Sequence, residues 1–214
     1  TLFPYTTLFR SSGCWEIEKT VPGEIFISQG DYPLKGFHYL LQAMQEILQN
    51  CPEAHIKVAG ISVLGVNGIK SRIKIPAYGK YLRRLILKNR LEGKVRVLGN
   101  LSAEEMKREY LSAQIFVCPS AVENSPNSVA EGQLLGVPVA ASRTGGIPDV
   151  VKDGVSGLLF EKGNIHELAA CVSRILTDKQ LAKELSASER ETAAKLYNGE
   201  NNYQKLIEIY QNIE

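Results

Sequence analysis

The chain has 214 residues, 44% of them hydrophobic and 22% charged, with a formal net charge of +2. Such proportions describe a globular chain able to bury one good-sized core, and so small a net charge gives no ground for a nucleic-acid partner. Cys14, Cys51, Cys118 and Cys171 stand apart without a C-x-x-C pair, which argues for a reducing cytoplasm over a disulfide scaffold or a zinc site, and no apolar run approaches the roughly 18 residues of a spanning helix.

The opening stretch, TLFPYTTLFRSS, does not read as part of a fold. Its only basic residue, Arg10, stands near its end, with no apolar core or small-residue cleavage site, so it is a poor secretory signal. Pro4 and the lack of apolar alternation make it a poor strand. Residues 1–11 instead match, without a gap, the in-frame translation of a common short-read sequencing adapter. Native sequence is expected to start at about Ser12, with 12–23 a linker remnant.

From Glu24 onward short apolar runs alternate with amphipathic stretches. EIFIS (24–28) reads as a buried strand, and 36–50 as a helix with Leu40, Leu41, Met44, Ile47 and Leu48 on one face. HIKVAG (55–60) is a strand, 79–91 a basic amphipathic helix, and KVRVLG (94–99) a strand. Ser102 and Glu105 form a capping box that opens a helix to about Ala113. QIFVCPS (114–120) is a strand. Ser125 as N-cap and Pro126 in the first turn open a helix to Leu135. GVPVAAS (136–142) and GLLF (157–160) are strands, helices follow from about Ile165, and 197–213 reads as a final amphipathic helix. Strand and helix alternate throughout, which predicts an α/β fold with a doubly wound, Rossmann-like parallel sheet. Such sheets bind ligands beyond the carboxyl ends of their strands.

Two strand-to-helix loops carry chemistry. In CPSAVENSPNSVAEGQLL the helix start at 125–128 offers backbone N–H groups and a partial positive charge to an anion. Glu123 and Glu131 flank it, and acceptor-only carboxylates suit sugar or ribose hydroxyls. Taken singly, each glutamate is an ordinary solvated acid. In SQGDYPLKGFHYLL, Lys35 before Gly36 sets an ammonium at a helix mouth, where it can pair with phosphate oxygens. The stretch 70–96 holds ten Lys or Arg residues against one acid, Glu92. That run is either a solvated face or a contact for an acidic partner such as an anionic membrane surface.

Glu123 and Glu131 with seven residues between them, followed by GVPVAAS, TGGIPDVV, GLLF and GNIHELAACVSRIL, resemble the C-terminal domain of retaining GT-B glycosyltransferases of the large family 4. The resemblance runs from about Ile25 to Ala193. It implies a donor-binding Rossmann-like domain over 24–195, the C-terminal half of a GT-B fold, and a last helix, 196–214, that packs on an N-terminal domain. It implies transfer of a sugar from a nucleotide-diphosphate donor to a glycan or lipid-linked acceptor hydroxyl, at the cytoplasmic side, with no metal and no cofactor. Lys35 would contact the diphosphate and Glu123 orient the sugar. Ser125, Pro126, Asn127 and Ser128 would form the anion seat, Glu131 would hold the ribose, and Asn100 and Leu101 would meet the base. Gly36 completes the lysine loop. One departure stands out: the family's arginine five or six residues before the lysine is absent, and Gln29, uncharged, lies nearby. Acceptor groups come from the family's N-terminal domain, so the chain as it stands is expected to be inactive alone.

Other classes fit less well. There is no G-x-G-x-x-G after the first strand and no G-x-x-x-x-G-K-[ST]. Asp31 stands without the acidic cluster of a phospho-receiver. A non-catalytic nucleotide-sugar-binding module and a sugar-nucleotide epimerase of the same architecture stay open on the sequence.

Overall fold

The computed structural model describes residues 13–60 and 76–212. The adapter-like opening, Ser12, the Lys70, Arg72 and Lys74 part of the basic stretch, and Ile213 lie outside the described residues.

Six strands, β1 (Glu24–Ile27), β2 (His55–Ala59), β3 (Val95–Gly99), β4 (Ile115–Cys118), β5 (Val139–Ser142) and β6 (Leu158–Phe160), lie parallel in one sheet ordered β3-β2-β1-β4-β5-β6. Every residue of β1, β4 and β5 is buried. Helices cover both faces of such central strands, so they carry unbroken apolar runs instead of alternation. The helices are α1 (Phe37–Asn50), α2 (Ala77–Lys88), α3 (Ala103–Ser112), α4 (Asn127–Leu135), α5 (Ile147–Val150), α6 (Ile165–Thr177), α7 (Lys179–Leu196) and α8 (Gly199–Gln211). α1 packs on α2 and α6, while α4 packs on α3 and α7. The chain therefore winds outward from β1 to β3, returns to β4 beside β1, and winds outward again. The order reverses between β1 and β4.

The core near that reversal is aromatic. Tyr110 of α3 sits edge-on to Phe26 of β1, with centroids 5.0 Å apart, and packs against Phe116 of β4 at the same distance. At the amino end of β1, buried Glu24 accepts from Ser112 Oγ at 2.6 Å and pairs with Lys57, 2.9 Å away. Lys57 also meets Glu109 at 2.8 Å. Burial works against the charge on Lys57, but its bonds to Glu109 and Glu24 outweigh that and hold its ammonium above the ordinary lysine value.

Two expectations change. Residues 13–23, read from the sequence as a linker remnant, pack on the domain: Trp15 is buried, its indole donates to Ala113 O at 2.8 Å and its backbone N–H to Leu135 O at 2.9 Å. The basic helix ends at Lys88, because Arg90 takes a left-handed φ of 53° and Leu91 N–H bonds back to Ile86 O, which drops Leu91 into the core. The last helix, α8, has no buried residue, and Tyr203, Leu206, Ile209 and Tyr210 are exposed on it. Among the described residues no helix is long and apolar enough to cross a membrane.

Candidate functional site

A cleft of about 370 Å³ opens beyond the carboxyl ends of β1 and β4, where the strand order reverses and an open α/β sheet presents its ligand crevice. Gln29 and Lys35 line it from the β1 side. Glu123, Ser125, Asn127, Ser128 and Glu131 line it from the β4 side. A second cleft of about 310 Å³ adjoins it, sharing Ser28, Gln29 and Met106, and contains Asn100 and Leu101. The two arms of the sheet thus bring the sequence-predicted side chains to one edge. Gly36 and Pro126 are buried behind it and contribute backbone shape.

Glycine seats the lysine loop. Pro33–Lys35 form one turn of 3-10 helix, and Gly36 then takes φ 73° to enter α1. A Cβ at Gly36 would lie 1.8 Å from Pro119 O, so only glycine lets this loop rest on the loop after β4. Ala121 N–H donates to Leu34 O at 2.7 Å and laces the two loops together. The result is an ion pair that sequence reading did not foresee: Lys35 Nζ donates to Glu123 Oε2 at 2.9 Å. The glutamate side chain is only 10% exposed and the lysine 31%.

The glutamate loop is held from behind by the glycine pair within Arg143–Pro148. Gly146 N–H donates to Glu123 O at 3.3 Å. A Cβ at Gly145 would stand 1.5 Å from the same oxygen, and one at Gly146 2.3 Å from Asn124 O. The TGG run was the visible signal of this close backbone approach.

The start of α4 also differs from expectation. Pro126, not Ser125, holds the N-cap position, and no side chain caps the helix. A residue before proline is pushed out of helical geometry, which delays the helix. Asn127 N–H donates to Ser125 O, and those of Val129 and Ala130 to Pro126 O. Ser128 N–H is left as the first-turn donor available to an anion.

Glu131 is held by a residue the sequence reading passed over. Tyr110 is fully buried, and its hydroxyl lies 2.8 Å from Ser128 O and 3.3 Å from Glu131 Oε2. The Ser28 side chain hydrogen-bonds the same hydroxyl. One phenol thus joins the end of β1 to the first turn of α4. Burial pushes the Glu131 carboxyl up to about 7, against the Tyr110 hydrogen bond, which favours the charged form. A ligand that presents hydroxyl donors would draw Glu131 toward the carboxylate. Among the described residues no group of three or more His, Cys, Asp or Glu side chains is placed to hold a metal ion.

Residues 17–192 match the model of the family described as Glycosyl transferases group 1. A D-inositol 3-phosphate glycosyltransferase of Corynebacterium urealyticum is 31% identical over 180 residues, covering 84% of this chain and 41% of the relative. Alr3699/HepE of Anabaena, solved in complex with UDP and glucose, superposes with a TM-score of 0.74 at 22% identity, over 92% of this chain and 49% of that one. The C-terminal domain of LpcC from Francisella tularensis, a glycosyl transferase group 1 family protein, superposes with a TM-score of 0.70 at 20% identity, over 86% of this chain and 91% of that domain. At these identities the structural likeness speaks for the fold. The chain spans less than half the length of the curated relatives it matches.

Proposed function

Because this chain belongs to the glycosyl transferases group 1 family, we propose that it is the donor-binding part of an enzyme that moves a hexosyl group from a nucleoside-diphosphate sugar to an acceptor hydroxyl, with retention, as in family 4. The observation that carries this reading is the Lys35–Glu123 pair at the β1/β4 crevice, with Glu131 on the same cleft wall. A cation supports charge growing on a leaving diphosphate, and carboxylates hold hydroxyls. Binding exchanges the pair: the diphosphate takes Lys35, and Glu123 turns to the sugar. Ser128 N–H adds a donor to the phosphate, Gln29 stands in, uncharged, for the family's arginine, Glu131 takes the ribose, and Asn100 and Leu101 meet the base from the adjoining cleft. The departing phosphate assists acceptor deprotonation on the same face, so no enzymic nucleophile, metal or cofactor enters these steps. The acceptor, a glycan or lipid-linked glycan at the cytoplasmic face, is supplied to the cleft by the part of the relatives that this chain does not span.

Calorimetric titration with UDP-, GDP- and ADP-sugars tests this. One class is expected to bind, and Glu131→Ala to weaken it by about 1–3 kcal/mol, the loss for hydrogen bonds to a charged group. Donor affinity unchanged in that variant would overturn the ribose role, and binding of none of the three would overturn the reading.

A further inference from the structure

The described part of the basic stretch, 76–96, does not line the cleft, and the fold gives it a defined shape. α2 contains no Asp or Glu. Leu82 and Leu85 turn into the core, while Lys80, Tyr81, Arg84, Leu87 and Lys88 are exposed. At 100° per residue these five fall within roughly one third of the helix circumference. They form one stripe along a helix about 18 Å long. Among the described residues none of Lys80, Arg83, Arg84 or Lys88 makes an ion pair, whereas Lys19, Lys35, Lys57, Arg143, Lys183 and Lys195 each do. Arg90, in the turn after the helix, is exposed as well.

We propose that this face docks the protein on an anionic lipid surface. Charge complementarity selects the partner's sign, since cations without partners are the ones free to meet headgroup phosphates. The two uncharged members of the stripe select a membrane over a nucleic acid. Leu87 is 58% exposed and Tyr81 42%. An aliphatic chain between cations gains nothing from water or from a phosphate backbone, but both side chains suit the boundary between headgroups and acyl chains. The apolar side of α2 is already used by the core, so the helix lies on the surface without inserting, and attachment is electrostatic and salt-sensitive.

Co-sedimentation of the full chain with phosphatidylcholine vesicles, with and without phosphatidylglycerol, tests this. Binding is expected only with the anionic lipid and is expected to fall in high salt. The triple change K80E/R84E/K88E is expected to weaken it at least about a hundredfold, given the typical contribution of each juxtamembrane cation. The control K152E/K162E/K179E alters net charge equally at exposed positions elsewhere and is expected to leave binding within about threefold, far less than the loss per patch cation. Leu87→Ser separates lipid from phosphate polymers, weakening vesicle binding and leaving heparin or RNA binding unchanged. Absence of binding to anionic vesicles, equal losses in the two triples, or tighter binding to an RNA oligonucleotide than to vesicles would each overturn the proposal. Donor titration is read separately, so either reading can fail alone.

Discussion

Lys35 Nζ and Glu123 Oε2 lie 2.9 Å apart across the β1/β4 crevice, although 88 residues separate them in the chain. Each holds the other out of bulk water and aims it at the same cleft. In Lys35→Met the glutamate is left as an uncompensated carboxylate beside the donor phosphates. Donor affinity is expected to fall by more than about 1.4 kcal/mol, a factor of ten. In a Glu123→Gln background the same change is expected to lose less, with a coupling of about 0.5–3 kcal/mol. Losses that simply add would show that the pair does not act as a unit. In a protein that turns over, Lys35→Met is expected to lower kcat about a hundredfold or more, as removal of a preorganised electrostatic group does.

Glu131 makes the cleft pH-dependent. Its carboxyl is raised from 4.5 to about 7, first by burial. The folded chain therefore holds a proton there that the unfolded chain releases, and between those pH values the stability of the empty chain falls as pH rises. Donor affinity is expected to run the other way, rising over the same interval as the acceptor carboxylate forms. Glu131→Gln is expected to flatten both slopes. Tyr110→Phe removes a bond that favours the charged form, so the affinity midpoint is expected to move to higher pH, and donor binding at neutral pH to weaken. A midpoint left in place would show that Tyr110 only packs. Calorimetric titration across pH reads both variants.

Two glycines separate backbone strain from contact. Gly36 and Gly93 both have positive φ, 73° and 83°, but a Cβ meets Pro119 O at 1.8 Å in the first and nothing within 4 Å in the second. Gly93→Ala is expected to cost about 1–2 kcal/mol of stability, the left-handed penalty alone, and to leave donor binding intact. Gly36→Ala is expected to cost more than that and to abolish donor binding, because the Lys35 loop must lift off the Pro119 loop. Denaturant unfolding with donor titration distinguishes them, and equal effects would contradict the close approach.

Glu189 is another buried carboxyl, outside the residues that line the cleft. Its Oε1 accepts from Val139 N–H at 2.9 Å, its Oε2 has no hydrogen-bond partner, and burial raises it well above the ordinary value. The folded state thus holds a proton that the unfolded state loses, and stability falls as pH rises through and beyond the usual carboxylate range. Glu189→Gln, made in the Glu131→Gln background so that one carboxyl titrates at a time, is expected to gain on its parent steadily as pH rises. A stability difference independent of pH would mean that Glu189 is charged in the fold.

The strands could be read because each is a short buried run closed by turn residues, and the Ser102–Glu105 box because both of its bonds, Ser102 N–H to Glu105 Oε2 at 2.8 Å and Glu105 N–H to Ser102 Oγ at 3.3 Å, join residues three apart. The start of α4 was misread by one residue, since Ser-Pro fits two capping registers and only the backbone geometry distinguishes them. Tyr110 was legible as an apolar-face residue of α3. Its hydroxyl's partners, Ser128 and Glu131, belong to a helix that packs there only because β4 lies beside β1.

By itself the sequence determined the kind of fold, the order of its elements and the loops that carry charge, because hydrophobic periodicity, capping and turn chemistry act between residues a few positions apart. Only the tertiary structure decided that Lys35 meets Glu123, that Gly145 backs the glutamate loop, and that Tyr110 holds Glu131. Those contacts depend on which strand lies beside which. That order is set by how the whole set of apolar faces packs, and no local pattern encodes it.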